Sequence, residues 1–221
     1  LRYGPRRAWR RGIGAGPDRA VRLPAMVRTP ARHGRCLASK EDIMKILAIS
    51  GSTREASTNT TLLQTMKNLA PLGIDVSVFH GLQALPVFSP DAQGERTPMA
   101  VREFLEIVCA HDCIIISSPE YIRAIPGGLK NAIDWLVSRV EVIGKPIALV
   151  HASHRGDDML ASLRLVLSTV SSNFFEHLFL RIPLIGKSPE DAVKFLCLPE
   201  NESQIRSFLL DLEALVISAR A

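Results

Sequence analysis

Ile46-Leu47-Ala48-Ile49 is an unbroken apolar run that ends on Ser50-Gly51-Ser52. A run this short, closed by Gly and Ser, predicts a strand buried on both faces, as in a parallel sheet covered by helices. The chain then turns polar through Ser52, Thr53, Arg54, Ser57, Thr58, Asn59 and Thr60, and Leu62, Leu63 and Met66 start a helical apolar face. Strand, hydroxyl-rich loop and helix N-terminus together form an anion site, because free N–H groups and the positive end of the helix dipole point into the loop. The plainer alternative is a Ser/Thr-rich cap that only starts the helix.

The spacing narrows the anion. No G-x-x-x-x-G-K-S/T is present, so no P-loop Lys reaches nucleotide β- and γ-phosphates. The loop is not G-x-G-x-x-G either, which brings bare backbone to a pyrophosphate. Short side-chain donors with one guanidinium suit a terminal phosphate monoester, two of whose oxygens Arg54 can meet at once.

A second apolar run, Cys113-Ile114-Ile115-Ile116, leads into Ser117-Ser118-Pro119-Glu120-Tyr121 and then Ile125-Pro126-Gly127-Gly128-Leu129-Lys130-Asn131-Ala132-Ile133-Asp134-Trp135-Leu136. With both stretches in hand, the sequence resembles the NADPH-dependent FMN reductase family, which has a flavodoxin-like fold. Gly51, Ser52, Arg54, Ser57 and Asn59 match its G-S-x-R-x-x-S-x-N loop. Pro119, Glu120, Tyr121, Pro126, Gly127, Leu129 to Asp134 and Trp135 match P-E-Y-x-x-x-x-P-G-x-L-K-N-A-I-D-W. The resemblance runs from about Met44 to the C-terminus.

Between these landmarks strands and helices alternate. Strands are expected at Lys45–Ser50, Ile74–Phe79, Cys113–Ser118, Pro146–Val150 and Phe174–Ile182. Helices are expected at about Ser57–Ala70, Met99–His111, Gly128–Val140, Met159–Val170 and Ile205–Ile217. Gly81 to Pro98 is a loop long enough to be a binding loop or lid. Five strands with intervening helices make a three-layer, doubly wound parallel sheet, since eight βα units do not fit. In the flavodoxin-like order 2-1-3-4-5 the first and third strands adjoin at the switch point, where ligands bind beyond the carboxyl ends. Those two strands carry the two motifs.

Charge is unevenly placed. The formal net charge is +5, yet residues 1–40 hold eleven Arg and Lys against Asp18 alone. The remainder is mildly acidic, so the overall charge is no argument for nucleic acid. Residues 1–43 lack apolar periodicity and read as a disordered Arg/Gly/Pro-rich extension, with Met44 the plainer start and an organelle transit peptide the rival. Residues 44–221 are read as the single FMN-binding domain. No membrane span is expected, and the setting is read as cytoplasmic. Cys36, Cys109, Cys113 and Cys197 show no C-x-x-C and no zinc-ligand spacing, so no metal is expected; Cys109 and Cys113 read as small apolar residues.

The resemblance implies a site. FMN would place its phosphate on Ser52, Arg54, Ser57, Thr58 and Asn59, and its ring beside Pro119, Glu120, Tyr121 and Ile122, with N–H groups from Glu120 to Arg123 at the ring's polar edge. The third loop, after the fourth strand, would contribute Ser153, Arg155 and Gly156. There the chain departs from the family pattern: His154 stands at the expected proline and Asp157-Asp158 follow Gly156. His151 and His154 are candidate general acids, though a loop histidine is more often only solvated. Lys130-Asn131 and Asp134-Trp135 read as scaffold. No catalytic residue is assigned, since a flavin carries the hydride chemistry and the protein need only hold the reactants together. The implied activity takes hydride from NADPH or NADH to FMN and on to flavin, quinone or a metal oxyanion, in a homodimer or homotetramer. A flavodoxin-type carrier, or an FMN-binding protein without turnover, is the alternative; the flavodoxin loop T/S-x-T-G-x-T is absent.

Overall fold

A computed structural model describes residues 43–137 and 140–220 of the chain; the expectation for the N-terminal segment falls on residues 1–42 and lies outside them. The chain runs β1 (Met44–Ser50), α1 (Thr58–Asn68), β2 (Ile74–Phe79), α2 (Met99–Cys109), β3 (Cys113–Ser117), α3 (Gly127–Leu136) and α4 (Val140–Ile143). It continues through β4 (Ile147–His151), α5 (Asp157–Val170), β5 (Phe174–Arg181), α6 (Pro189–Leu196) and α7 (Pro199–Arg220). All strand pairs are parallel, in the order β2-β1-β3-β4-β5. The doubly wound flavodoxin-like sheet expected from the apolar runs is the one present.

Alternation along each strand builds the two covering layers. Ile46 and Ala48 of β1, Ile115 of β3 and Val150 of β4 pack under α1, α6 and α7 with Leu62, Leu196 and Leu209. Leu47, Ile49, Ile114, Ile116 and Leu149 pack on the opposite face under α2, α3 and α5 with Phe104, Trp135 and Met159. Each of these large side chains contributes about 1.5–3 kcal/mol by leaving water. β1, β3 and β4 read as continuous apolar runs because both of their faces are covered.

Register aligns the strand ends. Ser50 lies opposite Ser117, Ser117 opposite Val150, and His151 opposite Arg181. The β4–β5 register slips between Ile147, opposite Phe174, and Leu149, opposite Phe179.

Several boundaries differ from expectation for local reasons. α5 starts at Asp157 rather than Met159, since two carboxylates in the first turn suit the positive helix end. The helix expected over Gly128–Val140 ends at Leu136, and the short α4 follows. α6 is an element the apolar pattern did not announce; Ser188 caps it by accepting the Asp191 N–H, and Pro189 occupies the first turn. α7 begins at Pro199, six residues before the expected Ile205. Cys109 is exposed, against the apolar reading, whereas Cys113 is buried at the head of β3 and burial pushes its thiol up to about 12.

The loop between β2 and α2 is built from 3-10 turns at Leu82–Ala84, Pro90–Ala92 and Gly94–Arg96. The α3 motif fastens it. Asn131 Oδ1 accepts the Phe88 N–H at 2.8 Å, and Asn131 Nδ2 and Trp135 Nε1 donate to the Pro86 carbonyl at 3.0 and 2.9 Å. Phe88 meets Trp135 edge-on with centroids 5.0 Å apart. Asn131 and Trp135 are therefore scaffold, and what they support is this loop.

Candidate functional site

Three loops leave the carboxyl ends of β1, β3 and β4 side by side, at the point where the winding reverses. β1 and β3 are pressed together at their exits. The Gly51 N–H donates to the Ser117 carbonyl at 2.7 Å, and a Cβ on Gly51 would sit 2.6 Å from Ser118 Oγ. Only glycine fits there.

The first loop is shaped by its own hydroxyls. Ser52 Oγ, buried, accepts the Arg54 N–H at 3.3 Å, and Ser57 Oγ caps α1 by accepting the Thr60 N–H at 3.4 Å. Ser50 and Thr60 share a hydroxyl contact of 2.8 Å, and Ser117 Oγ donates to Asn59 Oδ1 at 2.9 Å. Both latch the start of α1 to the sheet. Asn59 is thus committed through its oxygen to β3, and only its amide nitrogen remains to face a ligand. The N–H groups of Thr53, Glu55, Ala56, Thr58 and Asn59 meet no acceptor among the described residues. Arg54 is exposed, and its guanidinium has no ion pair among them. Open amides in a loop that runs into a helix N-terminus, with an unpaired guanidinium in the same loop, are donors of the kind a phosphate monoester dianion takes.

The second loop is a two-residue hairpin. Tyr121 and Ala124 exchange main-chain bonds of 3.2 and 3.0 Å, and the turn residues Ile122 and Arg123 have φ of 50° and 57°. Turns of this kind favour Asn-Gly; a β-branched residue with positive φ is strained. Ile122 is also 100% exposed, so no burial compensates at the tip. Ties to the third loop hold the turn. Glu120 Oε2 accepts the Met159 N–H at the start of α5 at 3.1 Å, and Arg123 Nε meets Asp158 Oδ2 at 2.6 Å. Because the Tyr121 N–H is used within the hairpin, the amides left for a ligand are those of Glu120, Ile122 and Arg123. Tyr121 is 44% exposed.

The third loop begins at His151, the last residue of β4. The ring is 1% exposed, not solvated as expected of a loop histidine, and its Nε2 lies 2.6 Å from the Arg155 carbonyl. Burial, first of all, pulls its pKa below the usual imidazole value, and Arg181 adds to this. His154 and Arg155 are exposed and Ser153 is half-buried; Ser153 Oγ accepts the Arg155 N–H at 2.9 Å. Gly156 takes φ of 99° just before α5 and lies against Glu120 of the second loop: a Cβ there would come within 3.7 Å of Glu120 Cβ. Asp157 pairs with Arg181 at 2.5 Å. The hydrogen bonds from Arg181 and Arg123 hold the carboxyls of Asp157 and Asp158 below the usual range, so both stay ionised at neutral pH.

The expected site residues therefore form one row, loop by loop: Ser52, Arg54, Ser57, Thr58 and Asn59; then Pro119 to Ile122; then Ser153, Arg155 and Gly156. Arg181, Asp157 and Asp158 join the row as the fasteners of the second and third loops. No spacing in the sequence announces Arg181, since it arrives by register from the next strand.

The parallel order β2-β1-β3-β4-β5, with its glycine-narrowed switch point between β1 and β3, defines a flavodoxin-like protein. Residues 44–181 match the family described as NADPH-dependent FMN reductase, and the chain belongs to that family. A quinone reductase of Escherichia coli K12 is 34% identical over 117 residues, which is 51% of this chain and 61% of that protein. An NAD(P)H-dependent FMN reductase of Pseudomonas aeruginosa is 37% identical over 114 residues, with the same coverage of 51% and 61%. The chain thus spans 61% of the length of these relatives. A solved flavoenzyme NAD(P)H:(acceptor) oxidoreductase from Paracoccus denitrificans superposes with a TM-score of 0.58 at 22% identity, over 78% of this chain and 98% of that one, and shares the fold.

Among the described residues no helix is long and apolar enough to cross a membrane.

Proposed function

We propose that this chain binds FMN in the crevice and oxidises NADPH or NADH, passing electrons to a small-molecule acceptor: a quinone, a free flavin or a metal oxyanion. The observation that carries this reading is the donor set of the first loop, five open amides and Arg54 at the N-terminus of α1. It fits the terminal phosphate of FMN in charge and in number of acceptors. Family membership and the names of the relatives point the same way.

When bound, the flavin supplies the hydride acceptor and donor chemistry. The protein's part is placement. Ser57 and the Asn59–Ser117 latch fix the start of α1, whose open amides would hold the phosphate. Pro119 and Tyr121 would offer apolar surface to the ring, and the amides of Glu120, Ile122 and Arg123 would be free to donate to its polar edge. Holding the nicotinamide and flavin in contact converts a bimolecular encounter into an intramolecular one, which is the larger share of what a protein can add here. Turnover would be ping-pong, with the acceptor binding after the oxidised nicotinamide has left. The resemblance extends the proposal to a homodimer or homotetramer, with loop 81–98 and the second loop at the border between copies; light scattering that gives only the monomer mass at micromolar protein removes that part.

The test is direct. The full chain, loaded with FMN and kept anaerobic, should lose the visible absorbance of oxidised flavin on adding NADPH or NADH and regain it with a quinone. Binding without bleaching by either nicotinamide assigns the chain to FMN-binding proteins without turnover. No flavin binding at all ends the reading.

A further inference from the structure

His151 and Arg181 lie opposite one another at the ends of β4 and β5. Among the described residues, the buried side-chain polar atoms without a hydrogen-bond partner are His151 Nδ1 and Arg181 Nε. Two unpartnered polar atoms on neighbouring residues at a sheet end are a cost that a purely structural core would avoid.

The other ring nitrogen of His151, Nε2, faces the Arg155 carbonyl at 2.6 Å. A carbonyl only accepts, so Nε2 carries the hydrogen and Nδ1 holds the lone pair. A second proton on the ring is opposed by burial, first of all, and by the Arg181 guanidinium, which together outweigh the Arg155 and Ser118 carbonyls and Asp157 and leave the imidazole below its usual value. Arg155 is pinned twice, since its N–H is also held by Ser153 Oγ at 2.9 Å. The peptide joining Arg155 to Gly156 is trans, so its C=O and N–H point in opposite directions. With the carbonyl drawn inward to the imidazole, the Gly156 N–H is turned outward, and it meets no acceptor among the described residues. The fit leaves no slack: Gly156 has φ of 99°, and a Cβ on it would stand 2.9 Å from His151 Nε2 and 3.1 Å from Cε1.

Resting on the flavin reading of the crevice, we propose that His151 is the positioning residue of the third loop: its Nε2–H holds the Arg155 carbonyl inward and so aims the Gly156 N–H at an acceptor atom on the ring of the bound flavin.

The experiment measures FMN and riboflavin affinity by fluorescence titration for the full chain and for His151→Gln, His151→Phe and Gly156→Ala, with a melting temperature for each. Gln places an amide N–H where Nε2–H stands, whereas Phe keeps the flat volume and removes the donor. His151→Phe should weaken FMN and riboflavin alike, by about tenfold, the scale of one hydrogen bond lost from binding. Equal loss on both ligands marks the ring rather than the phosphate. His151→Gln should stay within about twofold of the parent, and its bound-flavin absorption spectrum should match the parent while that of His151→Phe shifts. Gly156→Ala, which keeps the imidazole but displaces the loop, should reproduce the His151→Phe loss and decides the matter if His151→Phe does not fold. Nitrogen NMR of the flavin-free chain should find the His151 hydrogen on Nε2. Parent-like affinity in both His151→Phe and Gly156→Ala, or a hydrogen on Nδ1 alone, overturns the assignment while leaving flavin binding standing. A parent chain that binds neither flavin overturns both.

Discussion

Asn131 Oδ1 accepts the main-chain N–H of Phe88, 43 residues earlier in sequence, at 2.8 Å. With Asn131 Nδ2 and Trp135 Nε1 on the Pro86 carbonyl, α3 holds the long β2–α2 loop by its backbone as well as by the Phe88 ring. Replacing Asn131 with Leu leaves the Phe88 N–H without its protein acceptor, while Trp135 still holds Pro86. The site is half-buried and water can substitute in part, so the loss should be about 1–2 kcal/mol in urea unfolding. Limited proteolysis should then cut between residues 86 and 98 faster than in the parent. An unchanged cleavage pattern means that the loop is held by something else.

Arg54 tests the phosphate cradle from the other side. It is exposed and has no ion pair among the described residues, so Arg54→Ala should leave the melting temperature in place. FMN binding should weaken by about 1.5–3 kcal/mol, the worth of a hydrogen bond to a charged group. Riboflavin, lacking the phosphate, should bind as before. Equal loss for both flavins would place Arg54 at the ring and not at the phosphate.

The parts of this molecule that could be read in the sequence are those with local signals. β1, β3 and β4 are short apolar runs because parallel strands are buried on both faces, and Ser57 stands where an N-cap must stand. α6 escaped because Lys187-Ser188-Pro189-Glu190-Asp191 reads equally well as a turn and its apolar face is only two turns long. The hairpin at Ile122-Arg123 carries neither Asn nor Gly, the residues that normally announce two positive φ angles. His151 was legible as a residue but not in its role. Its burial, its partner carbonyl and its neighbour Arg181 follow from strand register, which no single stretch of sequence contains.

The Ile122 side chain is strained with no burial to compensate, 100% exposed at φ of 50°. Asn adopts this conformation more readily, and each left-handed L-residue costs about 1–2 kcal/mol. Ile122→Asn should therefore raise stability by about 1 kcal/mol, read as an upward shift of the melting temperature of the flavin-free chain. The strain persists next to the proposed ring site, so the same change is expected to lower turnover with NAD(P)H. A variant that melts lower than the parent shows that the Ile122 side chain makes a stabilising contact after all.

Far from the crevice, Asp112 gathers the opposite end of the sheet. Its Oδ2 accepts the Lys45 N–H at the start of β1 at 2.7 Å, its Oδ1 accepts from Arg220 at the end of α7, and the Lys145 ammonium lies close by. Burial raises the carboxyl, but the Lys45 N–H and the Arg220 guanidinium outweigh it, and the net result lies below the ordinary value of 3.8. A carboxyl depressed in the folded state binds its proton less readily than in the unfolded chain. Its contribution is complete above the unfolded value and disappears as pH falls through the folded one. Urea midpoints should thus decline below about pH 4 in the parent, with Asp112 one of several contributors. Asp157 and Asp158, also depressed, contribute in the same direction, so the comparison must be made against Asp112→Asn. At neutral pH that variant should be less stable than the parent, and the gap should narrow as the acid limb is descended and the parent's own carboxyl takes up its proton. A gap that stays constant down to the acid end would mean that Asp112 acts through packing and its hydrogen bonds alone, with no share in the acid sensitivity of the fold.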